Sequence, residues 1–402
     1  MKILVVHEVS YTRKIIYEIH EFPELLALKG HDVTFFQFDE GANFKSLRED
    51  RDKLINGRVH STARLRLVTP HRFGLPAIDR LWAIASSIPA LHGLMKEERF
   101  DVVLNYAVPT FGLQVMHFGR HFGIPVMHRA LDVSSAIRVS IWNRLIARFE
   151  KWVFLMATSI SANNPAMEKY VITTGGERVR NKLEVHYPPL DLDIFAPQTP
   201  DARLKKRLGI DPEDQVIMYM GSFFYFSGLS DVIRALAPEM RVQPTLKFLL
   251  IGGGEQDGLL RNLVMELNLT RQVIFSGIVE FRELTRYMSL ADVAISPLLI
   301  SEVAGAAFPQ KVLQYMAVGI PVVSTKLDGL YAAFGDKSGI IWALSPRDVT
   351  VKAIKVLSKN RLEIRTQTRL QIDSVSNLFT PERVTTALEG SLAGITKKGK
   401  VS

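Results

Sequence analysis

Gly305-Ala306-Ala307-Phe308-Pro309-Gln310-Lys311-Val312-Leu313-Gln314-Tyr315-Met316-Ala317-Val318-Gly319-Ile320-Pro321-Val322-Val323 decides the fold of this chain. It reads as a small-residue loop, a helix opened by Pro309, a helix stop at Gly319 and a buried strand. Proline suits the first helical position, where its missing N–H has no intrahelical partner anyway. A helix that starts just after a Gly/Ala loop points unpaired N–H groups and a positive dipole end at its entrance. Lys311 adds a full positive charge in the first turn, where a helix alone prefers an acid. A cation there calls for an external anion, and a phosphate fits best.

The pattern Phe-Pro-x-Lys-x-x-Gln-Tyr-Met-Ala-x-Gly-x-Pro-Val-Val over 308–323 resembles the donor-site helix of family-4-type retaining glycosyltransferases. That family has two glutamates, eight positions apart, bracketing this loop and helix. Ala306 and Gln314 stand at those positions here. The resemblance implies an α/β chain of GT-B architecture, with two facing doubly wound Rossmann-like domains and a C-terminal helix packing back on the first. It also implies a nucleotide-diphospho-sugar of the UDP or GDP type as substrate, no permanently bound cofactor and no metal.

Bulk properties agree with a folded two-domain chain. The 402 residues are too many for one compact core and suggest two domains of roughly 200 residues. Hydrophobic content of 47% and charged content of 23% are ordinary for a globular protein. No apolar run reaches the roughly 18–20 residues that span a bilayer. The nearest candidate, Leu81 to Met95, is broken by Ser86, Ser87, Pro89 and His92. Met1-Lys2 followed by Ile3-Leu4-Val5-Val6 reads as a strand start rather than a signal peptide. The absence of cysteine excludes disulfides and fits a reducing, cytoplasmic setting.

The net charge of +9 is concentrated. Lys45, Arg48, Arg51, Lys53, Arg58, Arg64, Arg66, Arg72 and Arg80 follow one another with no acid between Lys53 and Ile78. Such a run suits anionic lipid on the inner face of the plasma membrane or a phosphate-linked acceptor; it also suits a solvated basic loop. No nucleic-acid module accompanies it, so no nucleic-acid partner is expected. A helix from Ile137 to Met156 places Ile141, Trp142, Leu145, Phe149, Trp152 and Met156 on one face. That stripe suits a membrane surface or packing on the chain's own sheet.

Short apolar strands alternate with helices in both halves, which argues for parallel sheets covered on both faces. The proline-rich segment Tyr187–Pro197 reads as a linker. The expected organisation is an acceptor-side domain over 1–190, a nucleotide-sugar domain over 191–365, and a returning helix with a basic tail over 366–402.

Open α/β sheets bind ligands at the carboxyl ends of their strands. In the second half those ends carry Gly221-Ser222, Gly252-Gly253-Gly254-Glu255, Ser276-Gly277 and Ser296-Pro297. The stretch Met220–Leu229 resembles the family's first phosphate loop, with Ser222 and Ser227 where basic residues usually stand. On that resemblance the donor-binding residues are Gly221, Ser222, Ser227, Gly228, Gly252, Gly254, Val279, Phe308, Lys311 and Gln314. Arg282 and Lys326 are candidate compensating cations. The aromatic run Phe223–Phe226 can stack on a sugar or base, or pack internally. Glu302 can approach the donor sugar or be an ordinary loop acid. With Glu302, the candidate catalytic residues are His128 and Asp132, near the carboxyl end of a strand on the acceptor side, although a lone histidine there can simply cap the strand.

The resemblance implies transfer of a hexose-like sugar, with retention, to a glycan or lipid-linked acceptor in polysaccharide biosynthesis. The alternative is a catalytically weak or inactive GT-B protein that binds a partner or glycan. An epimerase would want more acids and histidines, and a dehydrogenase would want a complete Gly-x-Gly-x-x-Gly after the first strand.

Overall fold

The structure, a computed structural model, describes residues 1–38, 51–71, 76–134, 143–300 and 305–399. Lys45, Arg48, Arg72, Arg138, Ile141, Trp142 and Glu302 lie outside the described residues. The chain divides into two compact units, Met1–Pro189 with Pro381–Ser402, and Leu190–Thr380. The division falls inside the proline-rich segment.

The first unit contains β1 (Lys2–Val6), α1 (Glu18–Leu28), β2 (Asp32–Phe36), β3 (Asp52–Asn56), β4 (Arg64–Val68), α2 (Pro76–Glu98), β5 (Val102–Asn105), α3 (Gly112–Phe122), β6 (Val126–Ala130), α4 (Asn143–Met156), β7 (Ser159–Ala162), α5 (Pro165–Gly175) and β8 (Leu183–Val185). Its sheet runs β3-β4-β2-β1-β5-β6-β7-β8, and every pairing is parallel except β3 with β4. Strand alternation sorts the core. Ile3, Val5, Val33, Phe35, Val102 and Leu104 meet Ile19, Phe22 and Leu26 of α1 on one face. The opposite face receives α3 and α4: Phe111 lies 5.3 Å from Phe36, and Phe154 lies 5.5 Å from His128.

Two expectations change here. Part of the basic run folds as the β3–β4 pair, because Arg64-Leu65-Arg66-Leu67 alternates with the period of a strand and buries Leu65 and Leu67. Its cations are partly consumed within the unit. Arg66 holds Asp52 at 2.7 and 2.6 Å and Glu98 at 2.8 Å, while Arg58 donates to the carbonyls of Tyr11 and Lys14. The apolar stripe of α4 is also not its packing face. The helix buries Glu150, Val153 and Phe154 and leaves Leu145 and Trp152 outside.

The second unit contains α6 (Ala202–Leu208), β9 (Gln215–Ser222), α7 (Leu229–Val242), β10 (Leu246–Gly253), α8 (Asp257–Glu266), β11 (Val273–Gly277), α9 (Leu284–Met288), β12 (Val293–Ser296), α10 (Gln310–Val318), β13 (Val322–Thr325), α11 (Asp328–Phe334), β14 (Ile341–Ala343), α12 (Pro346–Leu357) and α13 (Arg361–Leu378). Its sheet is wholly parallel in the order β11-β10-β9-β12-β13-β14. The chain therefore reverses its direction of growth between β9 and β12, the place where doubly wound sheets open a crevice. Residues 366–378, expected in the returning segment, continue α13, which packs on α10 within this unit. The return is made by α14 (Pro381–Gly399), whose Val384, Leu388 and Leu392 join the α1 side of the first core.

One buried carboxylate ties the β3–β4 pair to α1. Glu24 is fully buried and accepts from the backbone N–H groups of Arg58 (2.7 Å), Val59 (3.0 Å) and His60 (2.6 Å) and from the Tyr11 hydroxyl (2.5 Å). Glu24→Ala strands all four donors, and unmet buried donors are costly. The expected loss is about 2–3 kcal/mol, measured as an earlier urea transition; an unchanged midpoint would show that the hairpin holds without it.

Candidate functional site

The switch point of the second unit is built around α10. Its helix starts at Gln310, one residue later than the sequence suggests, because Pro309 is extended (ψ 107°) and serves as the cap. Gly319 ends it in the left-handed conformation (φ 77°), where glycine carries no side-chain clash. Val312, Leu313, Tyr315 and Met316 are buried, which fixes the helix face. The Tyr315 hydroxyl accepts from the N–H of Met220 at 2.7 Å and donates to the same residue's carbonyl at 3.3 Å. This clamps the helix to the last turnless stretch of β9.

On the next turn outward Lys311 reaches the same strand. Its ammonium donates to the Tyr219 hydroxyl at 2.8 Å and lies 4.0 Å from the ring centroid. The Tyr219 hydroxyl passes the contact on by donating to the carbonyl of Ser222 at 3.0 Å. No carboxylate pairs with Lys311 among the described residues, and burial alone pushes its amine down to about 7. Gly221 makes room for it: with φ 136°, a Cβ there would stand 2.7 Å from Nζ. A Cβ at Gly252 (φ 130°) would collide with the carbonyl oxygen of Gly221 at 2.1 Å, so the ends of β9 and β10 approach backbone to backbone. A cation, a helix N-terminus and close-set glycine backbones are the groups from which anion sites are built.

The other expected donor residues divide. Ser222 and Gln314 are half-buried near this point, and Val279 and Gly254 lie on the loops that follow β11 and β10. Gly228 is buried, packed against the Pro297 carbonyl. Ser227 is a correction: it is buried, and its hydroxyl donates to the Phe224 carbonyl at 2.6 Å, closing its own turn. The ring of Phe308 is another. It is buried in a stack with Phe334 (6.3 Å) and Phe379 (5.9 Å), so it serves the core. Phe223 is likewise buried, whereas Phe224 and Tyr225 remain exposed. Lys326 is held 3.5 Å over the Tyr331 ring. Tyr219 carries a role that the sequence hid, since a tyrosine between two methionines in a strand looks like plain core.

In the first unit His128 is also reassigned. It is buried beneath α4, pairs through Nδ1 with the Asn105 amide at 3.1 Å, and is pushed down to about 3 by burial, so it stays neutral. It packs; it does not meet solvent. Asp132 does reach solvent, and its carboxyl is raised first by burial and then by the neighbouring Glu18. Beneath it Arg129 is wholly buried and holds Glu18 at 2.8 and 3.0 Å. Arg129 also donates to the Ser161 hydroxyl and to the carbonyls of Ala162 and His186. Just after β1, Glu8 accepts from the N–H groups of Thr110 (2.5 Å) and Phe111 (3.0 Å) at the start of α3. Among the described residues no cluster of three or more His, Asp or Glu is set to hold a metal.

Comparison with known proteins agrees with this geometry. Residues 19–194 match the model of Glycosyltransferase Family 4, and residues 214–359 match that of Glycosyl transferases group 1. An uncharacterized glycosyltransferase of Methanocaldococcus jannaschii is 25% identical over 183 residues, 44% of this chain and 45% of that protein. The matched stretch thus spans under half of that relative's length. A glycogen synthase of Mycobacterium tuberculosis is 23% identical over 359 residues, covering 85% of this chain and 80% of the other. Among solved structures, sucrose-phosphate synthase from Thermosynechococcus elongatus superposes with a TM-score of 0.80 at 17% identity, over 99% of this chain and 100% of that one. Anabaena HepE in complex with UDP-glucose gives 0.74 at 18% identity, over 98% and 100%. The Lys311 helix, the wholly parallel second sheet and the two family models together place this chain among the family-4-type glycosyltransferases of the GT-B fold.

Proposed function

We propose that the chain is a retaining transferase that takes a sugar from a nucleotide-diphospho-sugar and delivers it to a glycan or lipid-linked acceptor. The observation that carries this reading is the ammonium of Lys311, lodged at the switch point with no carboxylate paired to it among the described residues. A diphosphate there gains the cation and the N-terminal amides of α10 at once. As the sugar leaves, negative charge grows on the phosphate, and both groups stabilise it. Within the first unit, Asp132, the open carboxylate above the Arg129–Glu18 pair, is the group suited to hydrogen-bond an acceptor hydroxyl. UDP heads the candidate nucleotides because proteins of this fold have been solved with UDP and UDP-glucose. Work on the cytoplasmic side of a membrane follows from a lipid-linked acceptor.

A second reading has its own support. Ser227 is consumed by its turn, and Ala306 offers no acid to a sugar. A protein so depleted can bind nucleotide or glycan without transferring. Turnover separates the two: release of UDP from UDP-sugars with an acceptor extract supports transfer, whereas nucleotide binding without release supports the second reading.

Lys311→Ala should weaken nucleoside diphosphate binding at least about tenfold, roughly 1.4 kcal/mol, by calorimetry against UDP, GDP and ADP. Affinity unchanged by the substitution would remove Lys311 from the site. The pH dependence has a definite sign. Burial lowers the free amine to about 7, and a bound diphosphate favours its charged form. Affinity should therefore fall as pH rises above 7, by up to about tenfold per pH unit, until the amine in the complex also titrates. In Lys311→Ala that slope should vanish; a slope that persists would locate the titrating group elsewhere.

A further inference from the structure

The first unit carries an outward helical face that its own fold leaves unused. α2, α3 and α4 lie side by side on the sheet face opposite α1 and α14. Gly119 of α3 sits tight on Val126, Phe154 of α4 on His128, and His92 of α2 lies 5.5 Å from Phe118 of α3. From Leu81 to Met95 the sequence has no charged residue, and Leu81 (70% exposed) and Ile88 point outward. Trp152 of α4 is 60% exposed, with Leu145 and Leu155 also outside.

The exposed charges of α3 and α4 are of one sign, and the acids Glu97 and Glu98 of α2 stand at that helix's C-terminal end. Arg144, Arg148 and Lys151 are exposed on α4, and Arg120 is exposed on α3. Glu150, the one acid of α4, is turned inward, where it accepts from the N–H of Ser134 (3.0 Å) and the hydroxyl of Tyr170 (2.6 Å). α3 has no acid at all. An outward layer that interleaves tryptophan and leucine with uncompensated cations matches the boundary of an anionic bilayer, where indoles sit at headgroup depth and cations meet phosphates.

We propose that the outer face of α2–α4 docks this chain on an anionic phospholipid surface through Leu81, Ile88, Trp152 and Leu155, with Arg144, Arg148 and Lys151 on the headgroups. This rests on the proposed function only in what it serves, the delivery of sugar to a membrane-held acceptor; the docking itself does not require transfer.

The test is co-sedimentation of the full chain with vesicles of phosphatidylcholine alone or mixed with phosphatidylglycerol. Binding should require phosphatidylglycerol and fade with added salt. The pairs Trp152→Ala with Leu155→Ala, and Arg148→Glu with Lys151→Glu, should each weaken partitioning at least about tenfold, with melting temperature and UDP affinity unchanged. Equal binding to both vesicles, or variants that partition like the parent, overturns the proposal. So does a chain that ignores vesicles, including one whose dimer in sedimentation velocity is broken by the same variants, which would give the face to a second copy. Loss of UDP binding with vesicle binding intact would instead strike the proposed transfer and leave the docking face standing.

Discussion

A lysine ammonium held against a tyrosine ring, with no carboxylate to meet it among the described residues, sets the terms for the second unit. Lys311 shares its end of the sheet with the N-terminus of α10, so two positive features face the same opening. Neither relieves the other, and burial already depresses the amine. The surrounding geometry holds them there. Tyr315 binds the helix to Met220, Gly221 leaves space for Nζ, and the Gly319 stop turns the chain into β13. An anion at that opening lowers the electrostatic cost of all these contacts together, which is why the arrangement reads as a binding site.

The first unit handles charge in the opposite way. Arg129 and Glu18 neutralise each other inside the core, Glu24 is spent on a hairpin turn, and Glu8 caps the amides at the start of α3. Each would be expensive to bury without its partner, and each is hydrogen-bonded. Their work is structural. Asp132 is an acid left facing solvent above this network. Under the proposed function the two units would offer different recognition, charge at the end of β9 and hydrogen bonding at the end of β6.

Much of the second unit was legible because its signals are local. A cap, a helical period and a glycine stop lie within Gly305–Val323, and α10 differs from that reading by one residue at its start. What escaped depended on partners far away in sequence. A serine's hydroxyl looks free until its own turn takes it, as at Ser227, and a histidine after a strand looks functional until a helix covers it, as at His128. The Arg64–Val68 strand was masked because its charged residues drew the eye from the alternation beneath them. In α4 the apolar stripe was real, but periodicity cannot say which face meets the sheet; Glu150 is buried there because Tyr170 and the Ser134 amide await it. The Arg129–Glu18 pair joins residues 111 positions apart, beyond any local pattern.

The substitutions that weaken the family pattern are not equivalent. Those around Lys311 leave the groups that would act on phosphate under the proposed function: a cation, helix amides and glycine backbones. Replacing a basic residue by serine removes a charge-assisted hydrogen bond, a loss of about 1.5–3 kcal/mol, which slows or weakens a site without abolishing it. Ala306 is a different case. It is buried, so a carboxylate there would need donors to receive it. Under the proposed function, discrimination at this site rests on the nucleotide diphosphate, because Lys311, the amides of α10 and the glycine backbones all act on charge.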